Sequence, residues 1–240
     1  MLASKQPFRR ALYLQVRDVL AERIANGALK PGPSIANEND LAHELGVSAG
    51  TVRKALELME AQRLIYRRQG KGTFVNDLAS VELAARFCSL RGADGAHLNG
   101  RVSSVEIGEA VASEEERRQL LLAAGDQVYR IHRVYVHNSR AFMVEDATVP
   151  AALFPHGAAR PEMAASITTL AREHAVLLGK AEDRVSLGMP TEAGAKALGI
   201  VSGTSVMRRE RVVFMLNGAP AEWGVAQCHL VGGYYRAEIS

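Results

Sequence analysis

The chain has 240 residues, enough for two domains of ordinary size. Hydrophobic residues make up 48% of it, which excludes wholesale disorder, and no run approaches the ~20 apolar residues of a membrane helix. The net charge of +3 is uneven: residues 1–76 carry 12 Lys and Arg against 7 Asp and Glu, the rest 17 against 19, so only the first part suits a polyanion. Residues 1–10 lack the apolar core of a secretion signal, which points to the cytoplasm. Cys88 and Cys228 stand apart without metal-ligand spacing, so free thiols are expected, with no metal and no cofactor.

In chain order, the apolar positions Leu12, Val16, Val19, Leu20 and Ile24 predict one buried face of a helix starting near Arg9. Gly27 supplies its left-handed stop, and Pro31-Gly32-Pro33 forbids continuation. Asn37 can cap a second helix, with Glu38 and Asp40 at its positive end and Leu41 and Leu45 as its buried stripe. That helix ends at Gly46. Ser48 caps a third, which buries Val52, Leu56 and Met59 and presents Thr51, Arg53 and Lys54 elsewhere. Two short helices joined by a tight glycine turn make a helix-turn-helix, which places the start of its second helix in the DNA major groove. Residues 64–67 and 73–75 are β-rich and flank the cationic tip Arg68-Gln69-Gly70-Lys71-Gly72, a hairpin of the kind that serves as a wing. Gly70-Lys71-Gly72 can equally be an ordinary surface turn. It is not a nucleotide-enzyme phosphate loop, because no GxxxxGK[ST] pattern opens a helix there.

Tyr13-x-Gln15, Ile24-x-x-Gly27-x-Leu29-x-Pro31-Gly32, Leu41-Ala42-x-x-Leu45-Gly46-Val47-Ser48, Thr51-Val52-Arg53-x-Ala55-Leu56 and Gly70-x-Gly72-Thr73-Phe74-Val75 run in unbroken order over residues 7–76. They resemble the GntR family of bacterial regulators. The resemblance implies operator DNA as a partner and a DNA-contacting set of Tyr13, Asn37, Glu38, Asn39, Ser48, Ala49, Thr51, Arg53, Lys54 and the wing residues 68–72. Two departures matter. The family pattern has Pro-Ser-Glu-Arg where this chain has Ala36-Asn37-Glu38-Asn39, and an arginine where it has Ala49. The operator of relatives is therefore not transferable.

A linker is expected at 77–83, followed by a second domain over 84–240 whose first element covers 84–90. From Ser113 onward the sequence repeats at an offset of 78. Ser113 aligns with Thr191, Gly125 with Gly203, Val128 with Val206, Arg130 with Arg208, and Arg133 with Arg211; after one deletion, Glu145 aligns with Glu222. Each copy predicts a capped helix ending at glycine, a strand, a turn and a second strand. The turns are 137–140 and 216–219, the latter with an Asn-Gly hairpin signal. Two such units combine into one antiparallel sheet with helices on a face, an α+β domain.

Val128-Tyr129-Arg130-Ile131-His132-Arg133, Glu145 before Pro150, Gly218-x-Pro220-x-Glu222 and Gly232-Gly233-Tyr234-Tyr235 make this half similar to the UTRA effector domain of HutC-like GntR regulators. That resemblance implies a chorismate-lyase-like fold with a small-ligand pocket between the duplicated halves. It also implies a ligand set of Arg133, Tyr135, Glu145, Ser166, Thr168, Glu222 and Tyr234. Tyr129, Ile131, Arg133 and Tyr135 share one strand face, where a lone charge is costly. Arg133 therefore either pairs with Glu145 to fix the sheet or waits for an anion. Relatives carry a second arginine in place of Tyr135, so a sugar phosphate fits this chain less well than a carboxylate. Ser166 and Thr168 could instead cap a helix, and residues 87–90 could line the pocket or the core.

The expected whole is a winged helix-turn-helix domain joined to a UTRA domain, a ligand-responsive repressor working as a homodimer without membrane contact. The alternatives are a lyase-like enzyme, since fold does not fix function, and a constitutive DNA binder. His132, His137 and His229 show no metal-ligand pattern.

Overall fold

A computed structural model describes residues 10–76, 88–98, 100–155 and 160–237. The chain divides into two compact units, residues 1–78 and 79–240. The expected linker 77–83 lies outside the described residues, as do residues 84–87 of the predicted first element.

The first unit comprises α1 (Leu12–Ala25), α2 (Glu38–Leu45), α3 (Ala49–Ala61), β1 (Ile65–Arg68) and β2 (Gly72–Val75). α1 buries Val16, Arg17, Leu20, Ala21 and Ile24. Leu12 and Val19, expected on that face, are 50% and 39% exposed. Around the helix they lie just to one side of the Val16–Leu20–Ile24 stripe, and the burial continues on the other side through Arg17 and Ala21. The Asn37 side chain accepts hydrogen bonds from the amides of Asn39 and Asp40, which starts α2. Gly46 ends it at φ 64°, a left-handed conformation that favours glycine. α2 buries Leu41 and Ala42, leaving Leu45 half-buried. Ser48 accepts from the Thr51 amide and starts α3, whose Val52, Ala55, Leu56 and Met59 complete the core with Leu20. β1 and β2 pair antiparallel from Ile65↔Val75 to Arg68↔Gly72, as a wing should.

The second unit is built on one six-stranded antiparallel sheet. In chain order it comprises β3 (Leu90–Arg91), β4 (Arg101–Val111), α4 (Glu114–Leu120), β5 (Gln127–His137), β6 (Arg140–Pro150), α5 (Pro161–Ala164), α6 (Ile167–Glu173), β7 (Leu178–Gly188), α7 (Glu192–Leu198), β8 (Val206–Met215), β9 (Pro220–Cys228) and β10 (Tyr234–Tyr235). The sheet order β4-β5-β6-β9-β8-β7 carries the duplication into space, with the two copies meeting at β6 and β9. β3 and β10 form a separate two-stranded sheet. The caps repeat almost atom for atom: Ser113 stands at φ −65°, ψ 168° and Thr191 at φ −64°, ψ 162°, each accepting an amide of the first turn. Ser113 and Glu116 complete the expected capping box.

Three details depart from the sequence reading. α4 ends at Leu121, which itself adopts φ 55°, while Gly125 serves the turn that follows. Of the two hairpin turns, Asn138-Ser139 takes positive φ at both central residues (48° and 64°), whereas at Asn217-Gly218 only Gly218 does (89°). Helices also cover both faces of the sheet. The duplicated α4 and α7 share one, each packing on the central strand of the other copy, α4 on β9 and α7 on β6. α5 and α6, which have no counterpart in the repeat, cover the opposite face through Ala164, Ile167 and Leu170 against Ile131, Val149 and Val213. An apolar sheet face left bare would not be stable in water, so the connection between the copies folds back over it.

Candidate functional site

In the first unit the expected contact residues fall into two groups. Glu38, at the start of α2, accepts from Arg53 Nε of α3 at 2.9 Å and lies 3.6 Å from the Arg67 guanidinium of β1. Arg67 also lies 3.6 Å from Glu60. The sequence reading missed Arg67, because its position on the strand gave no sign that α2 and α3 converge there. Lys54 stands 4.3 Å over the Tyr13 ring, a cation–π contact that ties α3 to α1. The Ser48 and Thr51 hydroxyls are 2.9 Å apart. Asn39 is exposed and Ala49 half-buried. In the wing, Arg68 stacks its guanidinium 5.3 Å from Tyr66 and 5.7 Å from Phe74, which stiffens the base of the hairpin. Gln69, Gly70, Lys71 and Gly72 form the exposed tip, with positive φ at both glycines.

In the second unit, a cavity of about 230 Å3 is lined by Arg133, Tyr135, Glu145, Ser166, Thr168 and Glu222, among others. Arg133 is 1% exposed and fully engaged: Nε donates to the Ala164 carbonyl at 2.7 Å, and the two terminal nitrogens to Glu145 at 3.0 Å and Glu222 at 2.9 Å. Of the two sequence alternatives the structure shows the pairing with Glu145, made by a residue that also lines the cavity. Tyr135 donates its hydroxyl to Glu145 at 3.0 Å. Ser166 caps α6, accepting from the amides of Thr168 and Thr169, and its hydroxyl lies 2.5 Å from that of Thr168. Tyr234 is 46% exposed in β10 and is not among the cavity's residues. Phe87 lies outside the described residues, while Cys88 and Leu90 do line the cavity.

Two arginines of β8 join the site unannounced. Arg209 donates to Glu145 at 2.9 Å, and its buried Nε has no hydrogen-bond partner among the described residues. Arg211 grips Asp183 with two contacts of 2.6 Å. Arg211 was visible as the repeat of Arg133, but Arg209 occupies the position of Ile131 in the first copy and so was hidden. Tyr135 therefore does not leave the cavity with a single guanidinium. The copies also differ opposite these arginines: Val105 faces Arg133 across the sheet, whereas Asp183 faces Arg211.

Burial drives the Glu145 carboxyl up, but Arg133 and Arg209 override it and hold the group at about 2. Glu222 goes the other way: burial raises it, the nearby Glu145 charge adds to the rise, and Arg133 only partly offsets them. The pair shares Arg133 unequally, and Glu222 is the member that takes up a proton more readily. Three arginines against Glu145, Asp183 and a readily protonated Glu222 leave the site neutral to slightly positive.

A basic helix-turn-helix with its wing, in one chain with a duplicated sheet domain holding a charged cavity, defines a ligand-responsive, sequence-specific DNA-binding transcription regulator. The chain belongs to the GntR family of bacterial regulatory proteins, in the branch that carries a UTRA domain. Residues 12–75 match the bacterial regulatory proteins of the gntR family and residues 96–230 the UTRA domain. The chain is 26% identical over 214 residues to the mannosyl-D-glycerate transport/metabolism system repressor MngR of Escherichia coli, covering 88% of this chain and 89% of that one. It is 31% identical over 150 residues to the histidine utilization repressor of Pseudomonas aeruginosa, covering 60% and 58%. The crystal structure of PhnF from Mycobacterium smegmatis shares its fold, with a TM-score of 0.51 at 21% identity over 89% of this chain and 94% of that one. No helix among the described residues is long and apolar enough to cross a membrane.

Proposed function

We propose that the protein is an operator-binding repressor that works as a homodimer in the cytoplasm and leaves DNA when a small anionic metabolite fills the charged cavity. The observation that carries the effector class is Arg209, a buried guanidinium in the cavity wall with an unpartnered Nε among the described residues. A buried donor left unmade costs free energy, so a ligand acceptor there gains more than the average hydrogen bond. The nearly balanced charge of the site favours a monoanion such as a carboxylate over a dianion, and Glu145 and Glu222 can accept from a ligand's hydroxyl or amino groups. That two relatives are named repressors supports repression over activation.

One helix-turn-helix per chain has a small contact area, so useful affinity calls for two copies on a palindromic site. The reading treats the domain as a sensor and not as an enzyme. The test is fluorescence anisotropy on DNA from upstream of the protein's own operon, with a panel of hydroxy and amino carboxylates and of sugar phosphates. Release by a carboxylate, with two related half-sites in a footprint, is the expected result. A monomer that binds one half-site at full affinity, release by phosphates alone, or turnover of the releasing compound would each overturn a part of it.

A further inference from the structure

The second unit contains another cavity, of about 550 Å3, apart from the charged one. The β5–β6 turn, the end of α7 and residues 229–233 enclose it. This volume falls within the about 300–1,000 Å3 of small-molecule sites. Its apolar lining comes from Leu98, Phe142, Leu198, Ile200 and Leu230, and its basic lining from His137, Arg140, Lys196 and His229.

Among the described residues, none of these four basic side chains has a hydrogen-bond or ion-pair partner, and no carboxylate lines the cavity. Elsewhere in the unit Arg130, Arg133, Arg172, Arg208, Arg209 and Arg211 each reach a carboxylate, whereas Arg101, Arg117, Arg160 and Arg184, like the exposed His137, Arg140 and Lys196, have no ion pair among the described residues. Lys196 lies in the last turn of α7, but the carbonyls there already have partners. The Gly199 amide donates to those of Ala195 and Lys196, and the Ile200 amide also donates to Ala195.

We propose that this cavity binds a small organic phosphate monoester with an apolar body. The body lies against Phe142, Leu198 and Leu230, and the phosphate sits among Arg140, Lys196 and the two imidazoles. Two permanent cations with two further donors, and no competing carboxylate, match a dianion with several acceptor oxygens. The apolar lining gives a ligand with an apolar body more to bind than phosphate alone would have. Phe142 also lines the charged cavity, and its ring centroid is 6.4 Å from that of Tyr135, which donates to Glu145. An occupant therefore lies two rings away from the ion pairs around Arg133. The inference stands on the unpaired basic groups and holds whatever the charged cavity binds.

Titration calorimetry of the full chain with phenyl phosphate tests it, with inorganic phosphate and benzoate as comparisons. One equivalent of phenyl phosphate is expected to bind, at least about tenfold tighter than either comparison. The double variant R140E/K196E should weaken it by at least about tenfold while melting and binding DNA as the wild type does. Arg209→Gln, in the other cavity, should leave the affinity for phenyl phosphate unchanged. If the double variant melts early, R140Q and K196Q made singly should each still weaken binding. Absence of saturable binding, unchanged affinity in the Arg140 and Lys196 variants, or loss in Arg209→Gln would overturn the site. Equal affinity for benzoate or for inorganic phosphate would overturn the ligand class.

Discussion

Glu116 and Glu145 both ionise near pH 2, but for reasons that separate structure from site. For Glu116 the Arg130 hydrogen bonds come first, burial opposes them, and the Ser113 amide adds to the lowering. Glu116 lines neither of the two cavities described above. Its carboxyl lies at about 2 against an ordinary 4.5, so the stabilisation is fully present above about pH 4.5 and fades as the pH falls towards 2. Glu116→Gln should therefore cost about 2 kcal/mol at pH 7, after allowing for the half-exposed Arg130, and nothing near pH 2. Chemical denaturation at several pH values checks this; a penalty independent of pH would rule it out. Arg133→Ala should be more damaging, by about 3–5 kcal/mol, because it leaves the buried Glu222 without its arginine and takes one of two arginines from Glu145. Arg209→Gln removes a single ion pair and keeps a donor, so the fold should survive while effector-induced release is lost. A stable Arg209→Gln protein that still releases DNA at the wild-type effector concentration would take Arg209 out of the site. Little of this was readable beforehand. The lone charge on an apolar face made Arg133 conspicuous, but its engagement with Glu222 crosses from one repeat to the other, and no sequence spacing encodes that.

At the scale of elements, the signals that transferred best were local ones. Asn37, Ser48, Ser113 and Thr191 each cap the helix they were assigned, because a cap needs only its own first turn. Turn geometry was less legible. The Asn-Gly pair predicted the stronger hairpin, yet the turn with two positive φ values contains Asn138 and Ser139, where the flanking strand twist dictates the backbone regardless of the residues. Ser139 at φ 64° is therefore strained, and Ser139→Gly should stabilise the protein by about 1 kcal/mol, or about 2–4 °C in Tm. A calorimetric scan decides it, and a lower Tm would show that the serine is not strained. In the head, the Glu38–Arg53 contact sets how α2 and α3 cooperate. Glu38→Ala should narrow the gap between operator and random DNA by about tenfold as Arg53 loses its orientation, while random binding stays level or rises because an acidic group has gone. Parallel loss on both DNAs in a competition assay would show that Glu38 only holds the fold together.

For the molecule as a whole, head and body were separable in the sequence because charge and motif changed together. What the effector does to DNA must be matched by what DNA does to the effector. If the effector weakens operator binding by about tenfold, the operator-bound protein must bind the effector about tenfold less tightly, a coupling of about 1.4 kcal/mol. Calorimetry with and without operator DNA measures it. Unequal factors would mean that a third state, such as a change in oligomer, takes part.

The duplicated sheet also ties its two copies to each other across the β6–β9 seam. In one copy Arg211 pairs with Asp183 directly across the sheet; in the other, Val105 fills the matching position, and Arg133 pairs with Glu145 of its own copy and with Glu222 of the other. Each copy's helix likewise rests on the other's central strand. A single copy resembling residues 101–150 would bury an arginine with one of its two carboxylates missing and would lose most of the surface on which its helix packs. The ion pairs thus cross the seam in both directions, Arg133 to Glu222 and Arg209 to Glu145, so that neither half balances its buried charge alone and the two walls of the cavity are chemically unequal.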